Sequence, residues 1–246
     1  MRTGILHIGD ELLTGEIDPY PREMIEMIRR KGARLNLLEV LADREDDIIK
    51  GFEHARELGV NILVVTGGLG PTLDDITREA LARYLGVELV VDAGAEKALA
   101  EGLTLMHCRP IMMNDALRRM ARVPTGAKPL KNITGQACGV EAVKGEMTIF
   151  LLPGFPDEMV PMFREHILPR IEGNGEIDLD VKVSRGESLL EPLFELIVAE
   201  FPVQLASLPS KTDGTRVIIK GRRKDAEAAM ARFQSMVAEM DEASCR

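Results

Sequence analysis

Two aspartates stand beside a turn built for an anion. The run Thr66-Gly67-Gly68-Leu69-Gly70-Pro71-Thr72-Leu73-Asp74-Asp75-Ile76-Thr77 follows an apolar strand pattern, Ile62–Val65, and leads into a helical pattern that ends at Leu85. Three glycines within four residues let backbone N–H groups close on an anion, and a helix N-terminus adds its partial positive charge. The spacing predicts a helix over Asp75–Leu85, with Asp74 and Asp75 at its first turn. Carboxylates there repel a phosphate unless a cation lies between them. The residue types therefore point to a phosphate site that uses a metal ion, with Thr66, Gly67, Gly68, Gly70 and Thr72 around the phosphate.

A plainer account of the same residues stays open. Thr72 and Asp75 fit a T-x-x-D capping box, Pro71 lies close to the expected helix start, and acids near a helix N-terminus complement its dipole. The acids elsewhere bear on the choice. The first strand pattern, Ile5–Ile8, ends at Gly9-Asp10-Glu11, and the second, Leu35–Leu41, ends at Ala42-Asp43. In a parallel α/β sheet, ligands bind beyond the carboxyl ends of the strands. Asp10, Glu11, Asp43, Asp74 and Asp75 then line one cleft, and oxygen ligands of this kind suit magnesium, which keeps one or two carboxylates plus substrate phosphates. A second glycine turn, Leu152-Pro153-Gly154-Phe155-Pro156-Asp157-Glu158-Met159, also follows an apolar strand. Its prolines make it rigid, either as a stiff connection or as a wall of the cleft formed by Pro153, Gly154 and Glu158. The chain has no lysine after its last loop glycine and no GxGxxG, which sets aside the Walker A and dinucleotide fingerprints.

The elements that must position these residues alternate. Helical patterns at Pro21–Lys31, Glu45–Leu58, Asp75–Leu85, Ala93–Leu105, Met112–Met120 and Phe155–Ile171 separate strand patterns at Ile5–Ile8, Leu35–Leu41, Ile62–Val65, Gly139–Val143 and Thr148–Leu152. That order predicts βαβ units and a three-layer α/β/α fold on a mostly parallel sheet, over residues 1–172. The polar, glycine-rich segment Glu172–Glu176 reads as a boundary. Residues 177–246 follow as a small βαββα module: Leu179–Val183, Leu189–Phe201, Val203–Leu208, a turn at Ser210–Gly214, Thr215–Lys220 and Asp225–Met240.

Composition narrows the partners. The 246 residues are 45% hydrophobic and 29% charged, with a formal net charge of −9 and no tryptophan. That balance argues against a nucleic-acid partner and against base-stacking platforms. No apolar run approaches the ~18 residues of a membrane span, and the N-terminal apolar segment is too short for a signal peptide, so the expectation is a cytoplasmic protein without a membrane partner. Cys108, Cys138 and Cys245 form no CxxC pair, and the four histidines are scattered, so neither a disulfide framework nor a zinc site is expected.

These motifs together resemble the molybdenum-cofactor-biosynthesis (molybdopterin-binding) domain family, and within it the CinA-like, competence/damage-inducible branch. The resemblance rests on Gly9–Gly15 (GDELLTG), Thr66–Leu81 (TGGLGPTLDDITREAL), Asn114-Asp115, Lys131-Asn132 with the stretch to Gly139, and Leu152–Met159 (LPGFPDEM), in the same order over about residues 3–172. It implies a magnesium-dependent nucleotide or pterin site. Gly9 and Asn114 join the ligand-binding residues. Asp43 and Asp75 are the catalytic candidates, and Asp10, Glu11, Asp74 and Asp75 the candidate metal ligands, with cobalt or manganese as possible substitutes. The branch is associated with divalent-metal-dependent hydrolysis of ADP-ribose to AMP and ribose 5-phosphate. The alternatives are a molybdopterin-binding protein of cofactor assembly and a non-catalytic nucleotide-binding module. Full-length CinA proteins often add a nicotinamide-nucleotide amidohydrolase domain, for which these residues leave no room. The resemblance also implies a homo-oligomer.

The chain departs from the branch at Ile17–Pro21 and at Gly135-Gln136-Ala137-Cys138-Gly139, where a T-A-P-G-like loop is usual. The small module resembles a KH domain without its GxxG loop. From Asp178 onward it has 10 Lys/Arg against 12 Asp/Glu, so RNA clamping is not expected of it. A structural or dimerisation role is.

Overall fold

The computed structural model describes every residue except 19–20, 110–111, 174, 211–213 and 245–246, and the side chains of 105–107 and 242–244. Parts of the segments 17–21, 172–176 and 210–214, and Cys245, therefore lie outside the described residues. Two compact units divide the chain, Met1–Glu172 and Gly173–Arg246.

In the first unit, strand β1 (Thr3–Ile8) is buried along its whole length. A strand covered by helices on both faces reads as a continuous apolar run, not an alternation. The short helix α1 (Asp10–Leu13) and α2 (Arg22–Arg30) lead to β2 (Leu35–Leu41). Helix α3 (Glu45–Glu57) buries Ile48, Gly51, Phe52 and Ala55 on one stripe and carries Glu45, Asp46 and Asp47 in its first turn, where negative charge complements the helix dipole. Strand β3 (Ile62–Thr66) is followed by α4 (Thr77–Leu85), β4 (Leu89–Val91), α5 (Ala93–His107), α6 (Asp115–Met120), β5 (Arg122–Pro124), β6 (Lys128–Leu130), β7 (Gly139–Lys144), β8 (Met147–Leu152) and α7 (Pro156–Met162).

The main sheet runs β2-β1-β3-β8-β7-β6, while β4 and β5 pair apart from it. The first four of its strands are parallel and the last two antiparallel. One face packs Leu6, Ile8, Leu63, Val65, Ile149 and Leu151 against residues of α3, α4 and α5. The other packs Ile5, Val64, Phe150 and Leu152 against Met24, Ile28, Met162 and Phe163. This is the expected three-layer arrangement on a mostly parallel sheet. Connections leave β1 and β3 toward opposite sides of the sheet, so the topological switch point falls between their carboxyl ends.

Several helix boundaries differ from the sequence reading. The helix expected from Asp75 starts at Thr77, and that expected from Met112 starts at Asp115. The long helix expected over Phe155–Ile171 is α7, then a π-helical stretch at Phe163–Ile167 and a 3₁₀ turn at Leu168–Arg170. Pro161 is held inside α7, whereas Pro169, which lacks the N–H that an unbroken α-ladder needs, lies in the 3₁₀ turn where the helix type changes.

The second unit is β9 (Glu176–Val183), α8 (Glu187–Glu200), β10 (Gln204–Ser210), β11 (Gly214–Arg222) and α9 (Arg223–Ser244). Its three strands form an antiparallel sheet in the order β10-β11-β9, and the element order is the expected βαββα. Leu190, Phe194 and Ile197 of α8 meet Ala226, Met230 and Phe233 of α9 over Val217 and Ile219.

Candidate functional site

The four parallel strands bring their carboxyl ends together. The N–H of Gly9, after β1, donates to the carbonyl of Leu41 in β2 at 3.0 Å. The N–H of Asp10 donates to Oδ2 of Asp43 at 2.9 Å. The N–H of Gly67, after β3, donates to the carbonyl of Leu152 in β8 at 3.1 Å. A Cβ added to Gly154 would lie 3.4 Å from the Cα of Gly67, so the two glycine turns lie side by side. Gly67 itself has φ +94°, and a Cβ there would overlap the carbonyl oxygen of Ile8. No other residue type fits that position without moving β1 from β3.

The loop after β3 is held by the start of α4, one carbonyl at a time. Thr77 Oγ1 donates to the carbonyl of Gly67 at 2.9 Å. The Thr77 N–H donates to that of Gly68 at 3.2 Å. Arg78 Nη1 donates to that of Leu69 at 2.8 Å. In a trans peptide the N–H points opposite to the C=O of the preceding residue, and the described residues contain no cis bond. Capture of three successive carbonyls on the helix side therefore turns the N–H groups of Gly68, Leu69 and Gly70 the other way. Among the described residues none of these three donates to a protein acceptor. Successive N–H groups pointing to one side make an anion-binding concavity.

Asp74 and Asp75 lie in the loop, not in the first turn of α4, whose one acidic residue there is Glu79. The capping reading is corrected accordingly. Thr72 N and Oγ1 do reach Asp75 Oδ2, at 2.9 and 2.5 Å, but they close a turn that ends before the helix begins. The misleading signal is the T-x-x-D spacing, which serves a free turn as well as a cap. Asp75 thereby packs under Gly70, where a Cβ would meet its carboxylate.

The other acids sense one another. Burial raises the pKa of Asp43; the hydrogen bond from the Asp10 N–H opposes this, and the charges of Glu11, Asp10 and Asp74 add to it. The Thr72 hydroxyl and its own backbone hold exposed Asp74 below the usual carboxylate range. Acids from the ends of β1 and β2 and from the loop after β3 therefore share one neighbourhood. They do not form the ready cage that four metal ligands at Asp10, Glu11, Asp74 and Asp75 would imply. Among the described residues, no three His, Cys, Asp or Glu side chains come close enough to hold an ion, and Asp75 is engaged by Thr72. The donor set fits a hard cation held by one or two carboxylates and completed by ligand oxygens.

The remaining candidates divide. Glu158, in the first turn of α7, accepts a 2.5 Å hydrogen bond from Asn132 Nδ2. Asn132 Oδ1 in turn accepts from the N–H groups of Thr134 and Gly135, so Glu158 braces the 132–137 loop. Pro153 is buried and Gly154 exposed beside Gly67. Asn114 is the N-cap of α6, its side-chain oxygen accepting from Leu117 N–H at 2.9 Å, which is a structural use of that side chain. A groove of about 690 Å³ runs from Asp10 along the outer strand β2, between Leu41 and the α3 residues Asp47, Lys50 and His54.

Two buried polar residues escaped the sequence reading. His7 is 5% exposed and its Nδ1 lies 2.5 Å from Thr66 Oγ1, with Nε2 unpartnered. Burial lowers its pKa to about 4, so it is neutral at pH 7. Thr66 is thus tied to β1 as well as opening the glycine turn. Arg78 is 2% exposed. The signal for it was present: Arg78, Leu81 and Leu85 share one helical stripe, which puts a cation on an apolar face.

Comparison with known proteins decides the family. Residues 4–173 match the model described as "Probable molybdopterin binding domain". The chain belongs to the molybdopterin-binding domain family. Among curated relatives, a Pyrococcus furiosus protein is 32% identical over 211 residues, covering 83% of this chain and 84% of its own. Others carry the name competence-damage inducible protein. That of Alkaliphilus metalliredigens is 36% identical over 70% of this chain, and that of Caldicellulosiruptor bescii 33% over 94%. The matched parts are 41% and 57% of those two proteins, so this chain spans about half their length. The crystal structure of the protein CinA from Thermoplasma acidophilum, described as of unknown function, superposes with a TM-score of 0.62 at 26% identity, over 70% of this chain and 99% of that one. No helix among the described residues is long and apolar enough to cross a membrane.

Proposed function

We propose that the molybdopterin-binding-type unit hydrolyses the pyrophosphate of an ADP-ribose-like nucleotide with the help of a divalent cation, magnesium first and manganese or cobalt as alternatives. One observation carries this reading. The unspent N–H groups of Gly68, Leu69 and Gly70 stand at the same strand ends as the mutually repelling carboxylates of Asp10, Glu11, Asp43 and Asp74. Donors for phosphate beside acids for a cation are what a charged pyrophosphate needs.

The chain's own residues have distinct tasks. The three N–H groups hold phosphate oxygens and turn the diphosphate in the cleft. Asp75 holds the loop shape through Thr72. Asp43, anchored through Oδ2 by the Asp10 N–H, is the general base. Its burial and acidic neighbours raise its affinity for a proton. Water loses a proton to Asp43 as its oxygen attacks phosphorus, the bridging P–O bond breaks, and AMP and ribose 5-phosphate leave. A cation bound by the cleft acids would neutralise phosphate charge and polarise the P–O bonds.

The test is release of AMP from ADP-ribose by purified protein with magnesium, manganese or cobalt; no AMP with any of the three refutes hydrolysis. The family match favours one second reading, a molybdopterin-binding protein of cofactor assembly. Pterin fluorescence co-purifying from a molybdenum-replete host supports that reading. Nucleotide binding without turnover, surviving Asp75→Asn, supports a non-catalytic module. A homo-oligomer is part of the proposal, and the mass in solution tests it.

A further inference from the structure

We propose that Arg78 is the built-in counter-charge of the phosphate site: its guanidinium, sealed beneath the glycine loop, supplies the positive charge that the bound phosphate completes. The proposal rests on the reading of this loop as a phosphate site and not on hydrolysis.

Arg78 is 2% exposed. Its Nη1 donates to the carbonyl of Leu69 at 2.8 Å and its Nη2 to that of Cys138 at 2.9 Å. It therefore joins the two loops that flank the strand ends, the glycine turn after β3 and the 135–139 loop before β7. Its Nε has no partner, and among the described residues no carboxylate lies within ion-pair distance of it. Its nearest ionisable neighbour is the Cys138 thiol, and Glu79 and Asp75 act on it only at longer range.

A buried guanidinium without a paired carboxylate is costly. Carbonyl dipoles offset part of that cost, but a loop could be cross-linked as well by a neutral amide. What an amide cannot give is net charge. The peptide group that accepts from Arg78 at Leu69 presents the N–H of Gly70 on its opposite side, so the charge and the loop's donors line up through one peptide unit. A phosphate on those N–H groups completes a layered arrangement of anion, peptide and cation. The acids of the cleft repel the phosphate that the N–H groups hold, and a positive charge beneath the loop offsets part of that repulsion. Arg78 is a positioning residue, which touches the loop and not the ligand.

The test uses the full chain and inorganic pyrophosphate without added metal, with affinity read by calorimetry at low and high salt. A unit charge acting across roughly a nanometre at an effective dielectric near 20 is worth on the order of tenfold in affinity. Arg78→Gln, which keeps an amide donor and loses the charge, should bind about tenfold more weakly and lose much of the salt dependence. Arg78→Lys, which keeps the charge and reaches one carbonyl, should stay within about threefold of wild type. Equal binding by wild type and Arg78→Gln overturns the proposal, as does a loss in Arg78→Lys as large as in Arg78→Gln. So does a wild type that binds no pyrophosphate. If Arg78→Gln does not fold by circular dichroism, the lysine variant alone decides: near-wild-type affinity supports the charge, and a tenfold loss supports a mere cross-link. Wild-type hydrolysis of ADP-ribose with unchanged binding in Arg78→Gln sinks this proposal and leaves the hydrolase reading standing. Charge-dependent binding without AMP release does the reverse.

Discussion

Gly67→Ala isolates the close approach on which the site is built. Gly67 has φ +94°, and a Cβ added there would overlap the carbonyl oxygen of Ile8 at the end of β1. Gly86, at the end of α4, also has positive φ, +75°, but a Cβ there meets nothing within 4 Å. The two substitutions share the left-handed strain of a non-glycine residue, ~1 kcal/mol. Only Gly67→Ala adds a collision with backbone, and relieving it separates β1 from β3 for a further ~1–3 kcal/mol. A total near ~3 kcal/mol corresponds to a fall of roughly 6–12 °C in melting temperature for a unit of this size, against about 2–4 °C for Gly86→Ala. Differential scanning calorimetry on both variants at pH 7 measures the contrast, and calorimetric titration with pyrophosphate should show the binding defect in Gly67→Ala alone. Equal melting temperatures for the two variants would refute the packing argument, because both carry the left-handed strain and only Gly67→Ala carries the collision with Ile8.

Three further outcomes are expected. Thr77→Val keeps shape but leaves the Gly67 carbonyl without its 2.9 Å donor; urea denaturation should show a loss of ~1–2 kcal/mol, and a cost below a few tenths contradicts the assigned role. Asp43 has its pKa raised by burial and by Glu11, Asp10 and Asp74, so its contribution to stability is present at low pH and is lost as pH rises through its folded-state value. Asp43→Asn should therefore melt roughly 1–3 °C above wild type at pH 7, a figure discounted for solvent screening, and converge with it near pH 3, while ADP-ribose turnover falls by about a hundredfold or more. His7, lowered from 6.5 to about 4 by burial, contributes stability above pH 6.5 that is lost as pH falls toward 4, with a full value of about 3 kcal/mol. His7→Gln should flatten the acid limb of the stability curve measured by denaturant titration between pH 7 and 4.

Much of this architecture was legible in the chain because its core strands are apolar and its helices periodic. The runs at 5–8, 62–65 and 148–152 could hardly be anything but buried strands, and the acids and glycines follow where those strands stop. The short strands β4, β5 and β6 were missed, because three residues such as Lys128-Pro129-Leu130 carry no periodicity; pairing with β7 makes that segment a strand. The start of α4 was misplaced because Thr72 and Asp75 make the hydrogen bond of a cap without the helix. Arg78 and His7 were passed over for a different reason. Pattern reading sorts polar residues outward, whereas Arg78 is held inward by the carbonyls of Leu69 and Cys138 and His7 by the hydroxyl of Thr66 on the neighbouring strand.

The strand order has a consequence for how this site comes into being. β3 lies between β1 and β8, and its partner residues there are Thr3 for Ile62 on one side and Thr148 for Ile62 on the other. The glycine turn is thus synthesised long before the strand that completes its wall. Until β8 arrives, the Gly67 N–H lacks Leu152, Arg78 lacks Cys138, and a buried cation has nowhere to hide. Closing so long a loop is slow compared with forming local helices. The recovery of pyrophosphate binding during refolding should therefore lag behind helical circular dichroism, making the ligand a reporter of the β3–β8 pairing.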